Sequence, residues 1–174
     1  MKKSIYFPII SLLVICLVVS AVIAVTDYFT KDAIAEQEAQ ALAESRKEVL
    51  PAAYYEELEG TSRAIALDEN KNLLGYVFTE VGKGYGGDVV VVVGIDFEGK
   101  ITGVKITSQS ETVGIGAKYA DNAENILDKF IGKTDNFPND EIKITGASIT
   151  GKAVSTAVNQ AIEDYKSFKG GAEK

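Results

Sequence analysis

The chain has 174 residues, with 25 acidic and 18 basic side chains and a net charge of -7, a balance that argues against nucleic acid as a partner. Its 46% hydrophobic and 25% charged residues are those of a folded protein. There is no histidine and one cysteine, Cys16, which excludes Ser-His and Cys-His nucleophiles, His-ligated zinc, CxxC redox pairs, Cys-ligated iron–sulfur clusters and a disulfide scaffold. No metal site and no catalytic residue set is expected. What remains is carboxylate chemistry, hydroxyls and backbone binding sites.

The N-terminus predicts a membrane anchor. No charged residue occurs in the 23 residues from Ser4 to Thr26. As a helix this run is ~35 Å long, enough for a ~30 Å hydrocarbon core. Lys2 and Lys3 precede it, and Asp27, Asp32, Glu36 and Glu38 follow, with Lys31 among them. The positive-inside rule keeps residues 1–3 in the cytoplasm and sends the rest across. Pro8 falls in the first turns, where proline is tolerated. A cleaved signal peptide is the rival, but the run exceeds the usual ~7–15 apolar residues and Val22-Ile23-Ala24 is a weak cleavage site. Ile15 before Cys16 does not suit a lipoprotein signal. Cys16 then reads as a small apolar filler in the bilayer. Residues 27–174 carry 16 basic and 25 acidic side chains, near -9, and are enough for one sizeable core.

Beyond the anchor, residues 30–50 are rich in Ala, Glu, Gln, Leu and Lys and predict a helical stalk that Pro51 stops. Residues 63–67 and 73–81 are apolar runs around the turn-forming 68–72. A glycine stretch, 82–87, leads into the β-branched run 89–95, a buried strand. With 101–107 it predicts an antiparallel hairpin. Residues 108–118 read as a loop, and Ile126, Leu127, Phe130 and Ile131 as a short amphipathic helix. A loop over 134–140 and a brief strand over 142–144 follow. From Lys152, Val154, Ala157, Val158, Ala161, Ile162 and Tyr165 repeat at helical spacing. Residues 170–174 read as a frayed tail. Hairpins with helices beside them give the α+β class. The expected division is 1–3, 4–26, 27–60 and 61–174.

Three segments carry possible chemistry. Gly82, Gly84 and Gly87 match G-x-G-x-x-G, but a strand follows where the dinucleotide fingerprint requires a helix. The stretch is a flexible turn or a place where backbone approaches a flat ligand beside Tyr85. The polar loop 108–116 is a plain connection or the edge of a cofactor site. Residues 145–152, TGASITGK, lie between a strand and a helix start. Ser148 or Thr150 there is an N-cap, or the same helix end holds a phosphate with Lys152 nearby.

Taken together and in order, Gly-Tyr-Gly-Gly (84–87), Val-Gly-Ile-Asp (93–96), Gly-x-Ile-x-Gly-Val (99–104), Glu-Thr-x-Gly-Ile-Gly-Ala-Lys (111–118) and Thr-Gly-Ala-Ser-x-Thr (145–150) resemble the extracytoplasmic FMN-binding domain family, as found in electron-transport complexes of the Rnf type and in the related sodium-pumping NADH:quinone oxidoreductase. The resemblance covers roughly residues 73–166 plus the single anchor. It implies that FMN is attached by a phosphoester to the last motif hydroxyl, Thr150, by a flavin transferase acting outside the membrane. Thr145, Gly146, Ala147 and Ser148 would frame it, with Lys152 nearby. Tyr85 in the glycine loop, and Glu111, Thr112 and Gly114 in the 111–116 loop, would lie near the isoalloxazine. Three positions depart from the family pattern: Ile142 stands where an Asp is frequent, with Asp140 and Glu141 out of register, Gln109 replaces a His, and Val113 a Pro.

The resemblance therefore implies a single-pass subunit in the cytoplasmic membrane. Its outer FMN-binding domain, of antiparallel hairpins with flanking helices, would relay electrons within an ion-translocating ferredoxin:NAD oxidoreductase, with Na⁺ or H⁺ as the coupling ion. Partners would be the other subunits, the flavin transferase and the lipid bilayer. Two alternatives stand beside it: an anchored ligand-binding module without redox turnover, and a stand-alone FMN reductase.

Overall fold

The computed structural model describes residues 6–58, 61–122, 125–138 and 141–172. Lys2, Lys3, Ser4, Asp140, Glu173 and Lys174, on which parts of the sequence reading rest, lie outside the described residues. The chain divides into two compact units, one ending at Ala39 and one beginning at Gln40.

Helix α1, Tyr6–Val49, runs 44 residues without a break. Pro8 sits in its first turn, where no helical N–H is forfeited. Its N-terminal half exposes Leu12, Ile15, Leu17, Val18, Val22 and Ile23, a surface suited to lipid. Among the described residues it is the one helix long and apolar enough to cross a membrane. Thr26 and Thr30 donate their hydroxyls to the carbonyls of Val22 and Thr26, so neither leaves a polar group unmatched.

The second unit is a five-stranded antiparallel meander in chain order: β1 Tyr54–Glu57, β2 Arg63–Leu67, β3 Leu73–Lys83, β4 Asp88–Asp96 and β5 Ile101–Ser108. The four strands expected from the apolar runs are present, and β4 and β5 pair as the expected hairpin. Turn chemistry fixes the register. Asp68 Oδ1 accepts the N–H of Asn70 and Asn72 between β2 and β3, and Asp96 Oδ1 accepts those of Glu98 and Lys100 between β4 and β5.

Helix α2, Ser148–Ala172, packs across β3 and β4. Val154, Ala157, Val158, Ala161, Ile162 and Tyr165 are all buried in one cluster with Phe78, Val91, Val93 and Ile95. The helical stripe read from the sequence is therefore the core face. Gly82 allows the close approach: a Cβ there would lie 2.2 Å from the Ala153 carbonyl oxygen. On the other sheet face Val49 and Leu50 pack with Ala66, Val77 and Val92. Gly94 and Gly103 are cross-strand partners, and a Cβ on either would strike the Val49 backbone within 2.9 Å.

Several local expectations are corrected. Residues 142–144 form turn and coil rather than a strand, because the buried Tyr119 hydroxyl, not a ladder, satisfies their backbone. Helix α2 begins at Ser148, one turn before Lys152. The amphipathic segment around Ile126 includes a 3-10 turn, Leu127–Phe130. Gly82 lies within β3, so the glycine loop shrinks to Gly84, Tyr85, Gly86 and Gly87. Within the 27–60 stretch, Val49 and Leu50 pack on the sheet and Tyr54–Glu57 forms its edge strand β1.

One polar cluster sits at the β2–β3–α2 junction. Arg63 pairs with Asp164 at 2.7 Å and lies over the Phe78 ring. Glu80 beside them has Oε1 buried without a hydrogen-bond partner among the described residues. Burial, reinforced by the Asp164 charge against the opposing Arg63, pushes the Glu80 carboxyl up to about 7. The folded state thus holds this proton more tightly than the unfolded chain, whose carboxyl has the ordinary value of 4.5. The resulting stabilisation is complete below that value and is lost as the pH rises through about 7. Glu80→Gln is expected to flatten this decline. At pH 8 the variant should exceed the parent by about 1 kcal/mol in urea unfolding, a figure reduced for the solvent screening of a half-buried group. At acid pH the two should coincide. Equal urea midpoints at every pH would show that Glu80 is freely solvated.

Candidate functional site

The turn before α2 presents a hydroxyl to the interior. Gly146 has φ of +86°, the left-handed conformation that reverses the chain. The Ala147 carbonyl accepts the N–H of Gly151 and so opens the helix. Ser148, Ile149 and Thr150 are thus its first three residues, and their N–H groups lie at the end of the helix where no carbonyl of the same helix can reach them. Ala147 takes the cap position, which rules out Ser148 or Thr150 as the N-cap.

Thr150 is only 2% exposed, and its hydroxyl donates to Glu111 Oε2 at 2.5 Å. Glu111, from the loop after β5, is itself 8% exposed. Its other oxygen accepts the Gly86 N–H at 2.9 Å, and its own N–H donates to Gln109 Oε1. One carboxylate therefore ties the glycine loop to the first turn of α2. Gly116 makes room for this arrangement: a Cβ there would lie 2.5 Å from Glu111 Oε2 and 2.8 Å from Thr150 Oγ1. Tyr119 supports the turn from beneath. Its hydroxyl donates to the Ile142 carbonyl at 2.6 Å and accepts the Ile144 N–H at 2.9 Å, and burial raises it above the ordinary tyrosine value.

A cleft of about 410 Å³ opens over this pair. Of the residues singled out in the sequence, Tyr85, Glu111, Thr112, Gly146, Ala147, Ser148 and Thr150 line it. Ile115, Gly116 and Ile149 complete the wall. Tyr85, Ile115 and Ile149 are exposed apolar lips around a polar floor. Three expected residues do not line the cleft. Lys152 faces an adjacent groove with Val81, Lys83 and Thr156, which shares only Ser148 and Ile149 with the cleft. Two residues on a helix are about 200° apart in azimuth, so Lys152 cannot share the direction of Thr150. Thr145 is exposed on the far side of the Gly146 reversal, and Gly114, at φ of +78°, stands in open space. Gln109, expected only as a departure from the family pattern, holds the backbone of Glu111 in place.

The FMN-binding domain family matches residues 84–163, and the family of the RnfG N-terminal region matches residues 1–49. The G component of the Na⁺-translocating ferredoxin:NAD⁺ oxidoreductase complex of Acetobacterium woodii is 35% identical, with 90% of this chain and 89% of the relative covered. The G component of the proton-translocating ferredoxin:NAD⁺ oxidoreductase complex of Clostridium ljungdahlii is 28% identical over 98% of this chain and 96% of that protein. The crystal structure of Shewanella oneidensis NqrC superimposes with a TM-score of 0.47 at 18% identity, covering 67% of each chain. An apolar N-terminal helix, a five-stranded meander backed by a C-terminal helix, and a small-residue cleft at that helix's start thus accompany similarity along nearly the whole length: the chain belongs to the RnfG family, the G components of ion-translocating ferredoxin:NAD⁺ oxidoreductase complexes.

Proposed function

We propose that this chain is a membrane-anchored electron carrier that holds FMN through a phosphoester to Thr150, with its folded unit on the outer side of the membrane. The observation that carries the reading is the Thr150 hydroxyl, buried at the first turn of α2 and aimed into the cleft at Glu111.

The chain's own residues suit a phosphorylated flavin. The cleft volume lies in the ~300–1,000 Å³ range of small-molecule sites. The N–H groups of Ser148, Ile149 and Thr150 and the positive end of the helix dipole favour a phosphate at Oγ1. Gly146 and Ala147, small residues of the cleft wall, leave room beside it. Tyr85 and Ile149, 77% and 52% exposed, offer apolar surface to a flat ring while leaving its edge accessible to another subunit. When bound, the flavin supplies the electron-carrying chemistry, which a chain without histidine and with one cysteine does not itself provide. Covalent attachment suits the outer side, where a free cofactor would diffuse away. Electrons would pass between this subunit and others of an ion-translocating ferredoxin:NAD⁺ oxidoreductase, and Na⁺ or H⁺ movement would be the work of the complex.

The full chain, produced together with a flavin transferase and then denatured, is expected to keep the visible absorbance of a flavin through gel filtration. A colourless denatured chain would contradict covalent attachment. Orientation has its own test. Lys2 and Lys3 before the apolar run and acids after it support an outside C-terminus. A C-terminal reporter that is active only in the cytoplasm should be silent, and strong activity would reverse the topology.

A further inference from the structure

The Glu111–Thr150 pair has a consequence for how the cofactor is installed. A threonine hydroxyl is a weak nucleophile until a neighbouring base takes its proton. Here a carboxylate oxygen sits 2.5 Å from Oγ1 and already accepts that proton in a hydrogen bond. Both residues are largely buried, which holds the two side chains in place at the floor of the cleft. The Gly86 N–H holds the other carboxylate oxygen, and Gly116 leaves no slack around the pair. Among the described residues that line the cleft, Glu111 is the one carboxylate.

We propose that Glu111 is the general base for attachment: the substrate protein, rather than the transferase alone, supplies the acceptor for the Thr150 proton. This rests on the reading of Thr150 as the attachment site. The donor is a flavin adenine dinucleotide. The Thr150 Oγ–H bond breaks and its proton passes to the Glu111 carboxylate. An Oγ–P bond forms to the FMN phosphorus, the P–O bond to the adenylate breaks, and AMP departs with that electron pair. No electron is gained or lost by the flavin.

The test uses the unflavinylated full chain in detergent, with purified transferase in excess and flavin adenine dinucleotide, in a single turnover. Adduct is read by fluorescence of the denatured band and by intact mass. Glu111→Gln keeps the shape and an oxygen for the Gly86 N–H but has no basicity. It should lower the transfer rate by roughly 10²–10⁴-fold, the usual range for a positioned base. Its melting temperature should stay near that of the parent. A Glu111→Gln rate within threefold of the parent would overturn the proposal, because the carboxylate would then be only a hydrogen-bond acceptor. If Glu111→Gln does not fold, Glu111→Ala with added formate takes its place. Formate, a carboxylate, should raise the rate where formamide does not, and equal effects of the two would equally overturn the proposal. Thr150→Val runs beside both. Adduct on Thr150→Val at the parent rate would refute the attachment site itself, whatever Glu111 does.

Discussion

Thr150→Val is expected to abolish covalent flavin completely while leaving a folded domain. Valine reproduces the branched shape at a position only 2% exposed and removes the hydroxyl oxygen proposed to carry the phosphate. The cost in stability is larger than for an exposed helix cap. Thr150 is buried, and its loss strands Glu111 Oε2 without its donor. Leaving a buried acceptor unmatched costs about 1–3 kcal/mol, a drop of several degrees in melting temperature. Thr150→Ser keeps the oxygen and should still accept FMN. Ser148→Ala should be flavinylated with lower efficiency, since Ser148 is exposed on the cleft wall and frames the site. Fluorescence of the denatured chain separates the variants. A fluorescent Thr150→Val band would move the attachment elsewhere, and loss of the band in Ser148→Ala alone would move it by two residues.

Ala157→Asp is expected to unfold the domain. Ala157 is 1% exposed, on the stripe of α2 that packs on β3 and β4. A carboxylate there enters a cluster of apolar side chains, Val, Ile and Phe among them. An unpaired buried charge costs several kcal/mol against a total stability of about 5–15. Ala161→Asp, at a fully buried position, should behave alike. Thr156→Asp, one residue away but exposed, should change stability by less than about 0.5 kcal/mol. Thermal melts followed by circular dichroism distinguish the three. A melting temperature for Ala157→Asp equal to the parent's would show that this face is not the core.

The contrast between positions 156 and 157 was legible in the sequence because apolar residues at helical spacing report directly on burial. The same holds for the apolar run of β3, the β-branched run of β4 and the alternation of β5. Strand β1 was not legible: Tyr54-Tyr55-Glu56-Glu57 has no alternation, and its residues pair on a mostly exposed sheet edge. Residues 142–144 have strand composition but no partner strand among the described residues, and the Tyr119 hydroxyl bonds the Ile142 carbonyl and the Ile144 N–H instead. The start of α2 was displaced because Gly, Ala, Ser, Ile and Thr together give no clear helix signal. Tertiary structure, through the Gly146 reversal, sets the boundary there. Within the site, the small-residue motif marked Thr150 and the 111–116 loop, yet their meeting spans 39 residues and appears only when the chain is folded. Lys152 looked adjacent in sequence and is not, because helix geometry turns it onto the next groove.

Tandem mass spectrometry of the trypsin-digested flavinylated chain locates the cofactor on a single residue. Cleavage after Lys143 and Lys152 releases residues 144–152, a peptide holding three hydroxyls, Thr145, Ser148 and Thr150. Fragmentation should place the mass of one FMN, less one water, on Thr150 alone, with fragments ending at Ser148 unmodified. That mass on Thr145 or Ser148, or on any other peptide, would contradict the account.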